Sequence, residues 1–384
     1  MTGDAVLRAS VDFSWTEDQE RLFRGALEFA SGRLNATDGD VRARWRACGD
    51  GGFLGLCIDS EYGGMGLDRV TTARVMEALG EGCRDTGVAF AAAAHLFACA
   101  LPIAEFGSDE TKRRLLPGLC AGTLVGANAA SEPEAGSDIM AMRARATRDG
   151  DDYVLDGTKN FVTNGAEADV FLVYASTNPG LGYLGLSAFV VDRDTPGLEV
   201  GQPMAKTGLG AASLTPVYLD GARVPAGCVL GSPGQGGVIF AASMRAERSA
   251  LFAAYLGAMA RQLDEVIAYA RERTQFGRPI GKNQAVSHRI VDMKLRLDAA
   301  RLLVYRACWG TDQSDGDDLE VSLAKLAVSE WAVQSGLDAI RIHGGAGVVS
   351  ETGVDRALHD ALPSTVFSGT SDIQREVVAS RLGL

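Results

Sequence analysis

Histidine is scarce in this sequence and cysteine is scattered. The four histidines (His95, His288, His343, His359) are dispersed, and the seven cysteines (Cys48, Cys57, Cys83, Cys99, Cys120, Cys228, Cys308) include no C-x-x-C pair. No zinc or iron ligand set can be assembled from that spacing, so no metal is expected. An odd number of dispersed thiols, with no signal-peptide pattern, points to reduced cysteines and a cytoplasmic location. Basic charge is also lacking: 37 Lys and Arg against 49 Asp and Glu leave a formal charge of −12. Phosphate backbones need a concentrated excess of cations, so a nucleic-acid partner is not expected. Long apolar runs are rare too. The longest uncharged run, residues 88–104, approaches the length of a membrane span, but it is rich in alanine and contains His95 and Pro102. A buried helix is expected there and no membrane partner. Internal repeats and low-complexity linkers are absent.

What is present describes a globular protein. With 384 residues, 46% of them hydrophobic, and a mean hydropathy of +0.04, the chain can form two or three packed units around a large core. The pattern changes twice. Thr16 and Gln19 fit a capping box, and helical spacing follows in Phe23, Leu27 and Ala30 and again in Val75, Ala78 and Leu79. From about Gly126 the signals become strand-like, in 153–155, 170–174, 188–191 and 217–219, punctuated by Asp156-Gly157 and Asp220-Gly221. Helical periodicity then returns, with Val286, Ile290, Met293, Leu297 and Val304 on one face. The expected organisation is α+β: a helical domain over 1–125, a β domain over 126–234 and a helical domain over 235–384.

Five motifs occur in order: Ala130-Ser131-Glu132-Pro133-Glu134-Ala135-Gly136-Ser137-Asp138, Gly157-Thr158-Lys159-Asn160-Phe161-Val162-Thr163-Asn164-Gly165, Arg271-Glu272-Arg273-Thr274-Gln275-Phe276-Gly277 with Gln284, His343-Gly344-Gly345-Ala346-Gly347, and Phe367-Ser368-Gly369-Thr370-Ser371-Asp372. Taken singly, each is ordinary: the glycines read as turns, the hydroxyls as surface groups and the aromatics as core. Taken in order along essentially the whole chain, they resemble the flavin-dependent acyl-CoA dehydrogenases. The resemblance implies that family's fold, with an N-terminal helical domain, a middle β-barrel-like domain and a C-terminal four-helix bundle. It also implies FAD. Ser131 and Thr163 would bind the polar edge of the isoalloxazine, Phe161 would cover its face and Ser137 would hold the pyrophosphate. Arg273, Phe276, Gln284 and the Gly344-Gly345 turn would reach the cofactor of a neighbouring subunit in a homotetramer, and Thr370 would contact the adenosine portion.

Most members of the family carry a catalytic glutamate where this chain has Ser368, and a serine hydroxyl is no substitute for a carboxylate base. Glu247 is a replacement visible in the residues themselves. It falls in line with Met244, Leu251, Ala254 and Ala258 at helical steps. A carboxylate on an apolar stripe should have a raised pKa, the profile of a general base. The plain alternative is an ion pair with Arg245 or Arg248. Glu247-Arg248 also resembles the corresponding pair in isovaleryl- and long-chain acyl-CoA dehydrogenases, whose base comes from this helix. Arg248 then orients the base, faces the cofactor or substrate, or is structural.

A narrower resemblance concerns residues 90–100, 283–289 and 306–310, the Ser368 loop and the helix glutamate. These are similar to L-prolyl-carrier-protein dehydrogenases of pyrrole biosynthesis. That implies α-proton removal from a prolyl thioester by Glu247, with hydride passing from the β-carbon to the flavin, and then a second two-electron oxidation and tautomerisation to give a pyrrole-2-carboxyl thioester. The partner implied is a peptidyl or acyl carrier protein bearing the substrate on phosphopantetheine, with Ser368 and Arg248 near the substrate. The alternatives are a short-chain acyl-CoA dehydrogenase using the same glutamate, a flavin monooxygenase of the same fold, and a non-catalytic flavin-binding scaffold.

Overall fold

A computed structural model describes residues 14–37, 40–313 and 318–384. The helical first part comprises α1 (Glu17–Phe29), α2 (Val41–Asp50), α3 (Arg69–Gly82), α4 (Thr86–His95), α5 (Leu101–Phe106) and α6 (Asp109–Cys120). The capping box read from the sequence starts α1: the Thr16 hydroxyl accepts from the Gln19 N–H, and the Gln19 side chain accepts from the Thr16 N–H. The apolar run forms α4, a π-helical turn (Leu96–Ala100) and α5. Thr86–Phe106 is long and apolar enough to cross a membrane, yet 94% of its most apolar window is buried within the fold. His95 shows why the run tolerates an imidazole. Its Nδ1 accepts from Gly126 N–H at 2.8 Å, leaving the proton on Nε2, which lies 3.2 Å from the Leu119 carbonyl. Burial pushes its pKa down to about 4, so it remains a neutral tie from α4 to α6 and the first strand.

The β part comprises β1 (Gly126–Ala129), β2 (Arg145–Asp149), β3 (Asp152–Thr163), β4 (Val170–Ser176), β5 (Leu186–Asp192), β6 (Leu198–Val200), β7 (Leu214–Pro225) and β8 (Val229–Leu230). Their order is β6-β7-β3-β2-β4-β5-β8, with β1 parallel to β4. The Asp-Gly pairs correct the sequence reading. Asp156-Gly157 and Asp220-Gly221 lie inside the long antiparallel pair β3–β7, at an irregularity in its register between Leu155 and Gly157. Asp156 Oδ1 accepts from Gly221 N–H at 2.8 Å. Gly157 takes φ +149°, where a Cβ would stand 2.7 Å from that of Ala144. The turn chemistry serves to bend a continuous ribbon.

The second helical part holds α7 (Gly236–Ala246), a π-helical turn (Glu247–Leu251), α8 (Ala253–Glu272), the hairpin β9–β10 (Thr274–Gln275, Arg278–Pro279), α9 (Gln284–Gln313), α10 (Asp318–His343), α11 (Arg356–Ala361) and α12 (Ser371–Arg381). α8 meets α3 at a crossing that requires glycine on both helices. A Cβ on Gly80 would lie 1.9 Å from the Ala254 carbonyl oxygen, and one on Gly257 would lie 2.0 Å from that of Glu77. Arg261 reinforces the crossing by donating to the Gly80, Glu81 and Cys83 carbonyls at the end of α3, satisfying its terminal acceptors. Beside it, buried Glu77 accepts from Arg301 Nε at 2.7 Å and from the Tyr305 hydroxyl, linking α9.

Glycine on α8 therefore has the opposite value from glycine on α1. Gly257→Ala is expected to lower the melting temperature, because overpacking against rigid backbone costs about 1–3 kcal/mol or more. Gly25→Ala, on α1 with nothing within 4 Å of the added methyl, is expected to raise it by up to about 1 kcal/mol of stability. Paired thermal melts check both signs.

Candidate active site

α7 runs into a π-helical turn at Glu247, where the wider i→i+5 geometry frees backbone carbonyls. The Ser249 hydroxyl lies 3.0 Å from the Arg245 oxygen and 3.1 Å from that of Ala246, occupying that gap. The apolar stripe survives the extra residue: Met244, Leu251, Ala254 and Ala258 are all buried, and Glu247 among them is 7% exposed.

Ser368 reaches Glu247 from the loop before α12. Its hydroxyl donates to Glu247 Oε2 at 3.2 Å, so the two residues singled out in the sequence are in direct contact. Burial pushes the Glu247 carboxyl up to about 7, and the Ser368 hydrogen bond and the Arg248 charge act against that rise. The ion-pair alternative is not realised. Arg245 is held by Asp318 at 3.3 Å, and Arg248 Nε donates to the Ser368 carbonyl at 2.8 Å. Among the described residues no cation is in salt-bridge contact with Glu247. Phe367 anchors the loop between Phe90 and Phe252, at centroid distances of 4.6 and 5.5 Å.

The two motifs of the β part are joined by a contact the sequence reading missed. Glu132 Oε1 accepts from Lys159 Nζ at 2.7 Å and from Ala144 N–H at 3.0 Å, and Oε2 accepts from Arg143 N–H at 2.6 Å. Lys159 is fully buried, its ammonium also reaches the Ala130 carbonyl at 3.2 Å, and burial lowers its pKa to about 8. The signal was available: Lys159 is the one charge of its motif, and the other motif carries only acids, Glu132, Glu134 and Asp138. Ser131 lies between them, its carbonyl accepting from Asn160 N–H at 2.8 Å.

The residues present fit a flavin. Among the described residues the hydroxyls of Ser131, Ser137 and Thr163 have no protein partner. Phe161 holds φ +57° and is 57% exposed; a large aromatic fixed in a costly backbone pose and left uncovered suits stacking on a planar ring. Thr370 caps α12, its hydroxyl accepting from Ile373 N–H at 3.2 Å.

Arg273, Phe276, Gln284, Gly344 and Gly345 form a second, distant group. α8 runs from Ala253, just after the π-turn, to Glu272, and at 1.5 Å per residue its 19 steps carry the chain about 29 Å away before Arg273. Tyr269 ties this end to the glycine turn by stacking on His343 at 4.1 Å. Phe276 is 97% exposed at φ +52°, and a Cβ on Gly344 or Gly345 would meet nothing within 4 Å. Within one chain these residues cannot share a reacting centre with Glu247.

The chain belongs to the acyl-CoA dehydrogenase family. Its N-terminal, middle and C-terminal domain models match residues 16–123, 127–222 and 234–383, and the fold is the family's helical, β, helical arrangement. An L-prolyl-[peptidyl-carrier protein] dehydrogenase of Pseudomonas fluorescens is 48% identical over 380 residues, covering 97% of this chain and 100% of that protein. The solved structure of the prolyl acyl carrier protein oxidase AnaB superposes with a TM-score of 0.94 at 41% identity, over 97% of this chain and 100% of that one. PigA with FAD and proline superposes at 0.93 and 42% identity, with the same coverage.

A buried carboxyl held near 7 has a thermodynamic signature. With its folded pKa raised from 4.5 to about 7, the native state binds more protons across that window, so stability falls as pH rises through it. Glu247→Gln avoids this cost. Its melting temperature is expected to match the parent below about pH 4.5 and to exceed it above pH 7, by up to about 3 kcal/mol of stability. Melts at pH 4.5 and pH 8 check this; a pH-independent difference would contradict it.

Proposed function

We propose that this protein is an FAD-dependent oxidoreductase that converts a carrier-bound L-prolyl thioester to the pyrrole-2-carboxyl thioester in two successive two-electron oxidations. The observation that carries the reading is the Glu247 carboxyl, buried on an apolar stripe and touching the serine that stands in the usual glutamate position. The similarity to prolyl-carrier-protein dehydrogenases supports the choice of substrate.

Glu247 takes the α-proton. The thioester carbonyl acidifies that proton, and a base with a pKa near 7 can both accept and release it at neutral pH. FAD, when bound, would accept one electron pair in each round, the first leaving the β-carbon and the second leaving the ring after it, with tautomerisation completing the pyrrole. Ser131 and Thr163 would hold the polar edge of its ring, Phe161 its face, Ser137 its pyrophosphate and Thr370 its adenosine side. Arg273, Phe276, Gln284, Gly344 and Gly345 would serve the cofactor of a neighbouring subunit; their separation from Glu247 in one chain and the near-complete exposure of Phe276 support a homotetramer. Arg248 and Ser368 border the substrate. The helical, β and helical units divide near residues 125 and 234. All seven cysteines are free thiols, which suits a reducing cytoplasm.

The substrate arrives on the phosphopantetheine arm of a peptidyl or acyl carrier protein. Three donors presented anaerobically to the holoenzyme test this: L-prolyl carrier protein, L-prolyl-CoA and a short-chain acyl-CoA. Bleaching of the flavin by the prolyl carrier, followed after reoxidation by a mass loss of about four daltons on the arm, is expected for two such oxidations. Bleaching by the short-chain acyl-CoA alone would make the protein an ordinary acyl-CoA dehydrogenase. Glu247→Gln is expected to retain FAD and to slow bleaching at least about a hundredfold, the usual contribution of a general base.

A further inference from the structure

The loop carrying Ser368 is held in an unfavourable conformation by Arg248 and Gln374. Ser368 has φ +54°, a left-handed pose that costs a non-glycine residue about 1–3 kcal/mol. Its carbonyl receives Arg248 Nε at 2.8 Å and Gln374 Nε2 at 3.4 Å, and Gln374 Nε2 also reaches the Gly369 carbonyl at 3.2 Å. Gly369, at φ +85°, makes room for both donors: a Cβ there would lie 2.7 Å from Gln374 Nε2 and 3.0 Å from Arg248 Nη2. The pose presents the Ser368 hydroxyl to one oxygen of Glu247.

We propose that Ser368 is a positioning residue that aims the base: its hydroxyl engages Oε2 of Glu247 and leaves Oε1 as the proton-accepting oxygen, while Arg248 and Gln374 hold the serine in place through its carbonyl. This rests on Glu247 being the base. Arg248 adjoins Glu247 on the same π-turn, so the turn that supplies the carboxylate also fixes the loop that orients it. A hydroxyl donor favours the ionised carboxylate and makes its two oxygens inequivalent. Removing it raises the proton affinity of Glu247 and frees the carboxylate to rotate.

Other groups surround this centre. Arg248 lies on the same turn, Tyr174 approaches from β4 with its hydroxyl kept neutral by burial, Cys308 faces Ser249 from α9, and Lys325 on α10 stands near Arg248. Burial lowers Lys325 to about 7 as well, so a rate profile alone would mix two titrations. The carboxylic-acid C=O stretch of Glu247 separates them.

The test is an infrared pH titration of the holoenzyme, with the Glu247 band identified by its loss in Glu247→Gln, alongside anaerobic bleaching by the L-prolyl carrier protein. Ser368→Ala is expected to move the midpoint up by as much as about one unit, with about tenfold slower bleaching well below it. Ser368→Gly, which takes the positive φ without strain, guards against misfolding and should shift the midpoint the same way. Gln374→Met, which removes the second donor without changing charge, should shift it less in the same direction. An unchanged midpoint in both serine variants, with FAD retained, overturns the proposal even if Glu247→Gln is inactive. Undiminished bleaching by Glu247→Gln would instead overturn the base assignment, and the infrared shift would still report on the serine contact.

Discussion

Burial of one carboxyl group, Glu247, is the constraint on which the rest of the site depends. An ionised carboxylate in apolar surroundings is costly, and only a tightly specified environment keeps it there without an ion pair. Three features supply that environment. The Gly80–Gly257 crossing locks the rotation of α8 against α3. The π-turn at 247–251 sets the phase between α7 and α8, with Ser249 bonding its freed carbonyls. The Ser368 loop closes the remaining side, fixed by Phe367 among aromatic rings and by Arg248 on its backbone.

The β part meets a parallel requirement by the opposite means. Lys159 is as deeply placed as Glu247, but it is neutralised by Glu132, whose carboxylate also accepts two backbone N–H groups. This is the geometry in which a buried pair can offset its desolvation. It clamps the Ser131 loop to β3 and so fixes the spacing of the hydroxyls on either side. The unpaired carboxyl can exchange a proton near neutral pH; the paired ammonium serves as a rivet.

Much of this was legible in the sequence where the signal is local or ordered. The capping box at Thr16 and Gln19, the alternation of the strands, the order of the motifs and the phase of Glu247 on its helix all follow from short-range rules. The stripe through Glu247 could be read despite the π-turn because its apolar members are small or flexible and remain buried when the turn widens. The long-range partners were not legible. Nothing near Arg248 in the chain signals that it bonds a carbonyl 120 residues away, and Gly80 and Gly257 look like ordinary helix interruptions until their helices cross. The Asp-Gly pairs misled for a similar reason: the chemistry that ends a strand also accommodates a bulge, and only the partner strand decides between them.

The serine is explained by the same geometry. The loop and the helix place their side chains in hydrogen-bond contact, 3.2 Å apart. Glutamates at both positions would set two carboxyl groups against each other in a buried site, and such a pair shares a proton because like charges at contact cannot both ionise. One group would be held far from neutral pH and the other hindered as a base. With a buried carboxyl on the helix, the loop position is best occupied by a small, neutral side chain with a hydroxyl to donate. A serine in the loop is therefore compatible with a glutamate on the helix where a second glutamate would not be, and the proposed roles of Ser368 and Glu247 rest on the same contact.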